Sequence, residues 1–331
     1  MRVAVTGAAG FIGTNLVDRL AGLGHEVVAI DRSVPEYSHA QAIRWERGDV
    51  LDGTRMRQAF DGVEVVYHLV AMITLAHRDE RAWTVNTRGV HTVATAASAA
   101  GVRRLVHCSS IHSFDQYRCG GRIDETSVRS TDPSLPVYDR SKWQGEIELH
   151  KVIDAGLDAV ICNPTGVYGP ADHPPLSRIN GILRDAARGR VPMLLQGAFD
   201  LVDVRDVVDG LIAAAEKGRT GENYLLPGSM ITLFDACREA AAVVGRRGPA
   251  FAFPLSAADT IMPIAEPIGR LFGSDLVSRA SLGALRVSPI ISGVKARNEL
   301  GWVTRPGTET IRDLVCYFVS SGLLDRTRRT P

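Results

Sequence analysis

The sequence predicts a doubly wound α/β fold, a parallel sheet with helices on both faces, joined to a smaller mixed α/β part. Three observations carry this. Short continuous apolar runs alternate with helical patterns through the first half of the chain, as strands covered on both faces do. A glycine-rich turn lies between the first such run and the first helix. Near residue 163 a stretch dense in Pro and Gly ends the alternation.

The elements follow in order. Met1–Val5 reads as a strand, Thr14–Leu20 as a helix stopped at Gly24, and Glu26–Ile30 as a second strand ending at Asp31. Ala42–Glu46 is the third strand, a helix falls near 54–60, and Val63–Ala71 is the fourth strand. A long helical stretch covers Trp83–Ala100, and Arg103–Ser110 is a strand ending in two hydroxyls. Tyr138 opens a helix running to Gly156, and Ala159–Cys162 is the sixth strand. Residues 163–170 then read as irregular. Beyond them lie helices over 179–188, 206–216, 232–244 and 308–320, with short strands at 193–195, 201–204 and 223–226, the last completing the main sheet. Phe251–Leu255 and Ile261–Ile264 are apolar and read as core or as the wall of a hydrophobic pocket.

Composition narrows the function. With 38 basic and 37 acidic residues the formal net charge is +1, which argues against nucleic-acid or acidic-membrane partners. No apolar run is long enough to span a membrane, and the N-terminal run closes a strand rather than forming a signal peptide. The five cysteines are scattered and odd in number, which suits reduced thiols in a cytoplasmic protein. Cys108, His112 and Cys119 have no fourth ligand and fit no common zinc spacing, so no metal site is expected.

The glycine turn is where chemistry starts. In Thr6–Gly13, Gly7 permits the tight turn, Gly10 lets a diphosphate approach the backbone, and Gly13 lets helix and strand pack closely. Backbone N–H groups from Ala9 through Phe11 and Ile12 would face the phosphates at a helix N-terminus. Asp31 closes the second strand about twenty residues on, where a carboxylate holds the adenosine ribose hydroxyls and repels a 2′-phosphate. That favours NAD over NADP, although Arg32 next to it could bind such a phosphate. Tyr138 and Lys142 stand four residues apart on one helix face, a spacing at which an ammonium can lower a phenol's pKa toward the useful range. Ser110 at the end of the fifth strand can polarise a carbonyl. Its surroundings, Cys108-Ser109-Ser110-Ile111-His112, are not a serine hydrolase elbow.

These motifs, taken in order with Gly48-Asp49, Asn163–Pro170, Val202–Asp206 and Lys295–Trp302, resemble the extended short-chain dehydrogenase/reductases of the NAD-dependent epimerase/dehydratase superfamily. The resemblance implies a Rossmann-type domain over 1–163 plus about 203–227, and a substrate-binding domain over 164–202 and 228–331. It makes Tyr138 the general acid/base, Lys142 the residue that holds the nicotinamide ribose, and Ser110 the residue that orients the substrate oxygen. It adds Asp49 and Val50 against adenine, Leu69, Val70, Ala71 and Asn86 along the cofactor, and Asn163, Thr165 and Val167 near the nicotinamide. Met72, Ser110, His112 and Asn163 are the substrate-side candidates. His107, His112 and His173 are given no catalytic role. The resemblance also allows a homodimer built from the helices holding Trp83–Ala100 and Tyr138–Ile153.

Within the superfamily, Arg190–Asp206 and Lys295–Trp302 resemble the dihydroflavonol-reductase and 3β-hydroxysteroid-dehydrogenase branch. The favoured activity is therefore reversible hydride transfer between the nicotinamide and an alcohol/carbonyl pair on a small molecule. A nucleotide-sugar epimerase with transient internal redox is the alternative, and a non-catalytic NAD(P) sensor is a third. The intact Ser110, Tyr138 and Lys142 count against the sensor. A 4,6-dehydratase would carry an Asp-Glu pair where Ile111 and His112 stand.

Overall fold

The structure is a computed structural model that describes residues 1–34, 42–254 and 287–324. The chain runs β1 (Arg2–Thr6), α1 (Phe11–Gly22), β2 (Glu26–Asp31), β3 (Ile43–Arg47), α2 (Gly53–Ala59), β4 (Val65–His68), α3 (Glu80–Ala99), β5 (Arg104–Cys108), β6 (Arg122–Ile123), α4 (Val137–Asp154) and β7 (Ala159–Pro164). It continues through β8 (Gly166–Tyr168), α5 (Arg178–Ala187), β9 (Met193–Leu195), β10 (Ala198–Asp203), α6 (Val204–Lys217), β11 (Asn223–Leu226), β12 (Ser229–Thr232), α7 (Leu233–Val243), β13 (Phe251–Phe253) and α8 (Gly307–Ser320). No described helix is long and apolar enough to cross a membrane.

Two compact units result. The first comprises residues 1–165, 204–226 and 291–303. Its seven-stranded sheet has the order β11-β7-β5-β4-β1-β2-β3, and every pairing is parallel. Strand order reverses between β1 and β4, so a crevice opens outside their carboxyl ends, the usual ligand position in such sheets. Along each strand alternate residues face opposite sides. Val28, Ile30, Val66, Leu105 and Ile161 form one fully buried row with Met56, Phe60, Val93 and Leu149 from the covering helices. Helices α1 and α6 pack together, burying Leu16, Leu20, Val207 and Leu211.

The second unit comprises residues 166–203, 227–290 and 304–331. Its three-stranded sheet has β10 between an antiparallel β12 and a parallel β8. Leu183, Ala240, Leu314 and Phe318 from α5, α7 and α8 form its core with Tyr168 and Leu201.

Four boundaries differ from the sequence reading. β4 stops at His68 rather than Ala71, because the side chain of Asn86 captures both the N–H and the carbonyl of Met72 and pulls the chain off the sheet. β5 stops at Cys108, and Ser110 instead caps a short 3₁₀ turn over Ile111–Ser113. The stretch read as irregular contains β8, which pairs in register with Leu201–Asp203. Residues 291–303 belong to the first unit and not to the C-terminal one. Lys295 donates to Glu222 and to the Asn223 carbonyl, and the Trp302 indole donates to the Asp206 carbonyl. Of the apolar segment, Phe251–Phe253 forms β13, while Leu255 and Ile261–Ile264 lie outside the described residues.

Candidate active site

The glycine turn is held from two sides. The N–H groups of Gly7 and Ala8 donate to the Ile30 carbonyl, at 2.9 and 3.2 Å, and Gly7 has φ +77°. A side chain there would also strike the backbone of Val70 at 3.0 Å, so Leu69 and Val70 press on the turn. At Gly13 a Cβ would lie 2.1 Å from the Gly7 carbonyl oxygen. Only glycine lets α1 start this close to the strand. Gly10 is the N-cap and offers no side-chain acceptor, and the first turn of α1 has no acidic residue. The leading N–H groups of α1, at Phe11 and Ile12, are thus left for an anion. This cradle fits a dinucleotide diphosphate.

Asp31 connects the turn to the ribose position. One carboxylate oxygen accepts from the Ala9 N–H at 3.1 Å and the other from the Ser33 N–H at 3.3 Å. Arg32 stands exposed beside it. After β3, Asp49 accepts from the Leu51 N–H in a tight side-chain turn, and Val50 is buried beneath Gly89 of α3.

Three of the expected residues meet at the ends of β5 and α4. Tyr138 and Lys142 are one turn apart on α4, and the Lys142 nitrogen lies 6.0 Å from the phenol ring centre. The Ser110 hydroxyl accepts from the His112 N–H at 3.2 Å and stands beside the Tyr138 phenol. The expectation that Lys142 lowers the phenol's pKa is not met in the chain by itself. The Lys142 ammonium is turned to the Cys108 carbonyl at 3.2 Å, and burial pushes the phenol well above its ordinary value. The Ser110 hydroxyl opposes that rise, while Cys108 and Asp139 add to it. Burial also lowers the Lys142 ammonium below the usual lysine range, against the pull of Cys108 and Glu146.

Two other candidates are engaged inside the protein. Asn86 spends its carbonyl on the Met72 N–H and its amide on the Met72 carbonyl and the Ser141 hydroxyl. It reaches α4 because Gly145 lets the helices touch, a Cβ there lying 2.3 Å from the Asn86 carbonyl. Asn86 therefore positions the segment after β4. Asn163 is fully buried, and its amide donates to the Ser110 carbonyl, the Ser113 hydroxyl and the Glu146 carboxylate. Thr165 ends the first unit with its N–H on the Leu226 carbonyl. Val167 lies on β8 in the second unit.

Sequence reading missed the groups behind Ser110. Glu146 is fully buried and accepts from Ser109, Asn163, Arg129 and Asn223. The Arg129 guanidinium stacks 3.8 Å over Phe114 and 4.7 Å from the Trp143 ring centre. A signal was available for Glu146, which falls on the inward face of α4 one turn past Lys142. His112 sits with Nδ1 3.0 Å from the Asp139 carboxylate and its ring edge-on to Tyr138, centres 5.3 Å apart.

Residues 3–226 match the NAD dependent epimerase/dehydratase family. The chain belongs to that family. It is 31% identical to sterol demethylase protein B of Methylococcus capsulatus over 332 residues, covering 98% of this chain and all of that protein. It is 30% identical to a putative dihydroflavonol 4-reductase of Synechocystis, covering 96% of this chain and 94% of the other. Other relatives are named as 3β-hydroxysteroid dehydrogenases and as a UDP-glucose 4-epimerase. Among solved structures, gox2253 superposes with a TM-score of 0.82 at 29% identity, over 98% of this chain and 99% of that one.

Proposed function

We propose that the protein is an NAD(P)-dependent oxidoreductase interconverting a secondary alcohol and its ketone, with NAD as the preferred cofactor. The observation that carries this is the Ser110–Tyr138 hydroxyl pair, with Lys142 one helical turn away and at the same sheet edge as the glycine cradle. The cradle would hold the diphosphate, Asp31 the adenosine ribose, and Lys142 the nicotinamide ribose. A bound nicotinamide supplies or accepts a hydride at its C4.

The residues account for the proton. Ser110 and Tyr138 both donate to the carbonyl oxygen and stabilise the negative charge that develops on it. Tyr138 then gives its proton to that oxygen as the alcohol forms, and takes it back in oxidation. Burial keeps the Tyr138 phenol protonated but makes it the weaker acid, so its proton transfer relies on the negative charge that hydride addition develops on the carbonyl oxygen. The carboxylate of Asp31 repels a 2′-phosphate, and this supports NAD over NADP.

A panel of simple ketones, 3-oxosteroids and UDP-sugars tests the proposal, with NADH oxidation and sugar isomerisation read separately. Net NADH oxidation with a ketone is expected. Isomerisation of a sugar without net NADH change would contradict the proposal and support an epimerase.

A further inference from the structure

The turn that presents Ser110 is clamped by a segment outside the α/β alternation. Residues 128–130 bond it at three points. The Asp115 N–H donates to the Val128 carbonyl at 2.8 Å, the Ser130 N–H to the Ser113 carbonyl at 3.0 Å, and the Ser130 hydroxyl to the His112 carbonyl at 2.8 Å. Between these bonds Arg129 points inward, its side chain only 17% exposed. One terminal nitrogen donates to the Ser113 hydroxyl at 3.2 Å and to Glu146 at 3.0 Å, and the other donates to the Asn223 side-chain oxygen at 3.1 Å. Phe114 and Trp143 hold the guanidinium plane from their ring faces. Carbonyl reduction uses none of these groups directly.

Donor and acceptor types give the groups behind Arg129 a direction. A guanidinium only donates and a carboxylate only accepts, whereas an amide side chain does either, according to which way it is turned. Asn223 turns its oxygen to Arg129, so its nitrogen faces Glu146 at 3.0 Å and the Asn163 oxygen at 2.8 Å. With that oxygen filled, Asn163 offers its nitrogen to the Ser110 carbonyl at 3.0 Å. Turning either amide over would set oxygen against oxygen at Glu146, and for Asn163 at the Ser110 carbonyl as well. All three side chains are buried, so no solvent would relieve the conflict.

We propose that Arg129 is a positioning residue for carbonyl reduction. Through Asn223 and Asn163 it fixes the direction of the amide chain that holds the Ser110 carbonyl, and with it the place of the Ser110 hydroxyl at the substrate oxygen. A donor displaced by about 1 Å can cost about 100-fold in rate, so a side chain that never meets the substrate controls the chemical step. This inference rests on the oxidoreductase reading above.

A double-variant cycle tests this, read in the kcat for NADH-dependent reduction of a ketone that wild type turns over. Arg129→Lys keeps the charge beside Glu146 but lacks the planar fork that reaches Ser113, Glu146 and Asn223 together. Its kcat should fall at least about tenfold, while NADH affinity and the KM for the ketone stay within about twofold of wild type. In a Ser110→Ala background the same substitution should change kcat by less than about twofold, because the hydroxyl that Arg129 places is already gone. Asn223→Ser leaves the Arg129–Glu146 pair in place and breaks the amide chain. It should repeat the pattern, and it decides the matter if Arg129→Lys does not fold. An unchanged kcat in the folded variant, or a fall by the same factor with and without the Ser110 hydroxyl, overturns the proposal while the oxidoreductase reading stands. If wild type reduces no ketone of the panel, the oxidoreductase reading fails and the proposal with it.

Discussion

Asn163 donates from its side-chain nitrogen to the Ser110 carbonyl at 3.0 Å, from a position with no solvent contact. The same nitrogen reaches Glu146 at 2.7 Å, and Glu146 in turn neutralises Arg129 at 3.0 Å. The turn that presents Ser110 is therefore fastened to a buried ion pair on the sheet side. Every polar atom in such a network must be satisfied, because removing one partner strands the rest. Asn163→Ala should destabilise the fold by about 2–4 kcal/mol, since it leaves a buried carbonyl and carboxylate short of donors. Urea denaturation measures this, and a change below about 0.5 kcal/mol would show the network to be incidental.

Gly13→Ala tests the cradle. The added methyl would stand 2.1 Å from the Gly7 oxygen and 2.8 Å from the Ala8 oxygen, both backbone atoms that cannot swing aside. The start of α1 must move, so NADH affinity should fall by at least about tenfold, equivalent to about 1.4 kcal/mol. Fluorescence titration of NADH reads it directly.

Acid sensitivity should trace to two stacked histidines. His68 and His107 pair across β4 and β5, their rings 5.3 Å apart, and neither His107 nitrogen has a partner of good hydrogen-bond geometry. Burial holds His68 down at about 3 and His107 well below its ordinary value. As pH falls below about 6.5 the unfolded chain takes up protons that the folded one refuses, so stability is lost from there toward pH 3. His107→Phe removes one of these sites without breaking a hydrogen bond. Its stability should decline less than that of wild type between about pH 7 and pH 5, as followed by thermal melts.

Features that depend on local spacing are legible in the sequence. The glycine turn, Asp31 at a strand end, and Tyr138 one turn before Lys142 are all set by a few consecutive residues. The alternation of apolar runs similarly gave the main sheet, including β11, across a long insertion. Contacts between distant residues were not legible. Asn163 is joined to Ser110 across 53 positions and to Glu146 across 17, and Asn223 reaches Glu146 across 77. His112 and Asp139 are 27 apart. Type and place point Asn86 and Asn163 toward ligands, and neither shows that the fold also ties their amides to Met72 and Ser141 and to Ser110, Ser113 and Glu146. The end of β4 was misjudged for the same reason, since the side chain that ends it comes from α3.

Asp31→Ala should act in two ways. It removes the carboxylate expected at the ribose and also the acceptor of the Ala9 N–H. NAD affinity should fall, and the ratio of kcat/KM for NADH over NADPH should drop by about tenfold or more as the repulsion of a 2′-phosphate disappears. Steady-state kinetics with the two cofactors checks this, and an unchanged ratio would take Asp31 out of the ribose site.

In the proposed reaction Tyr138 moves the proton. Tyr138→Phe keeps the ring that packs beside His112 and removes only the phenol hydroxyl beside Ser110. Turnover of the Phe variant, measured alongside its NADH affinity, is the most direct test. A fall in kcat of at least about 100-fold with NADH binding nearly unchanged is expected. Turnover within a few-fold of wild type would contradict it.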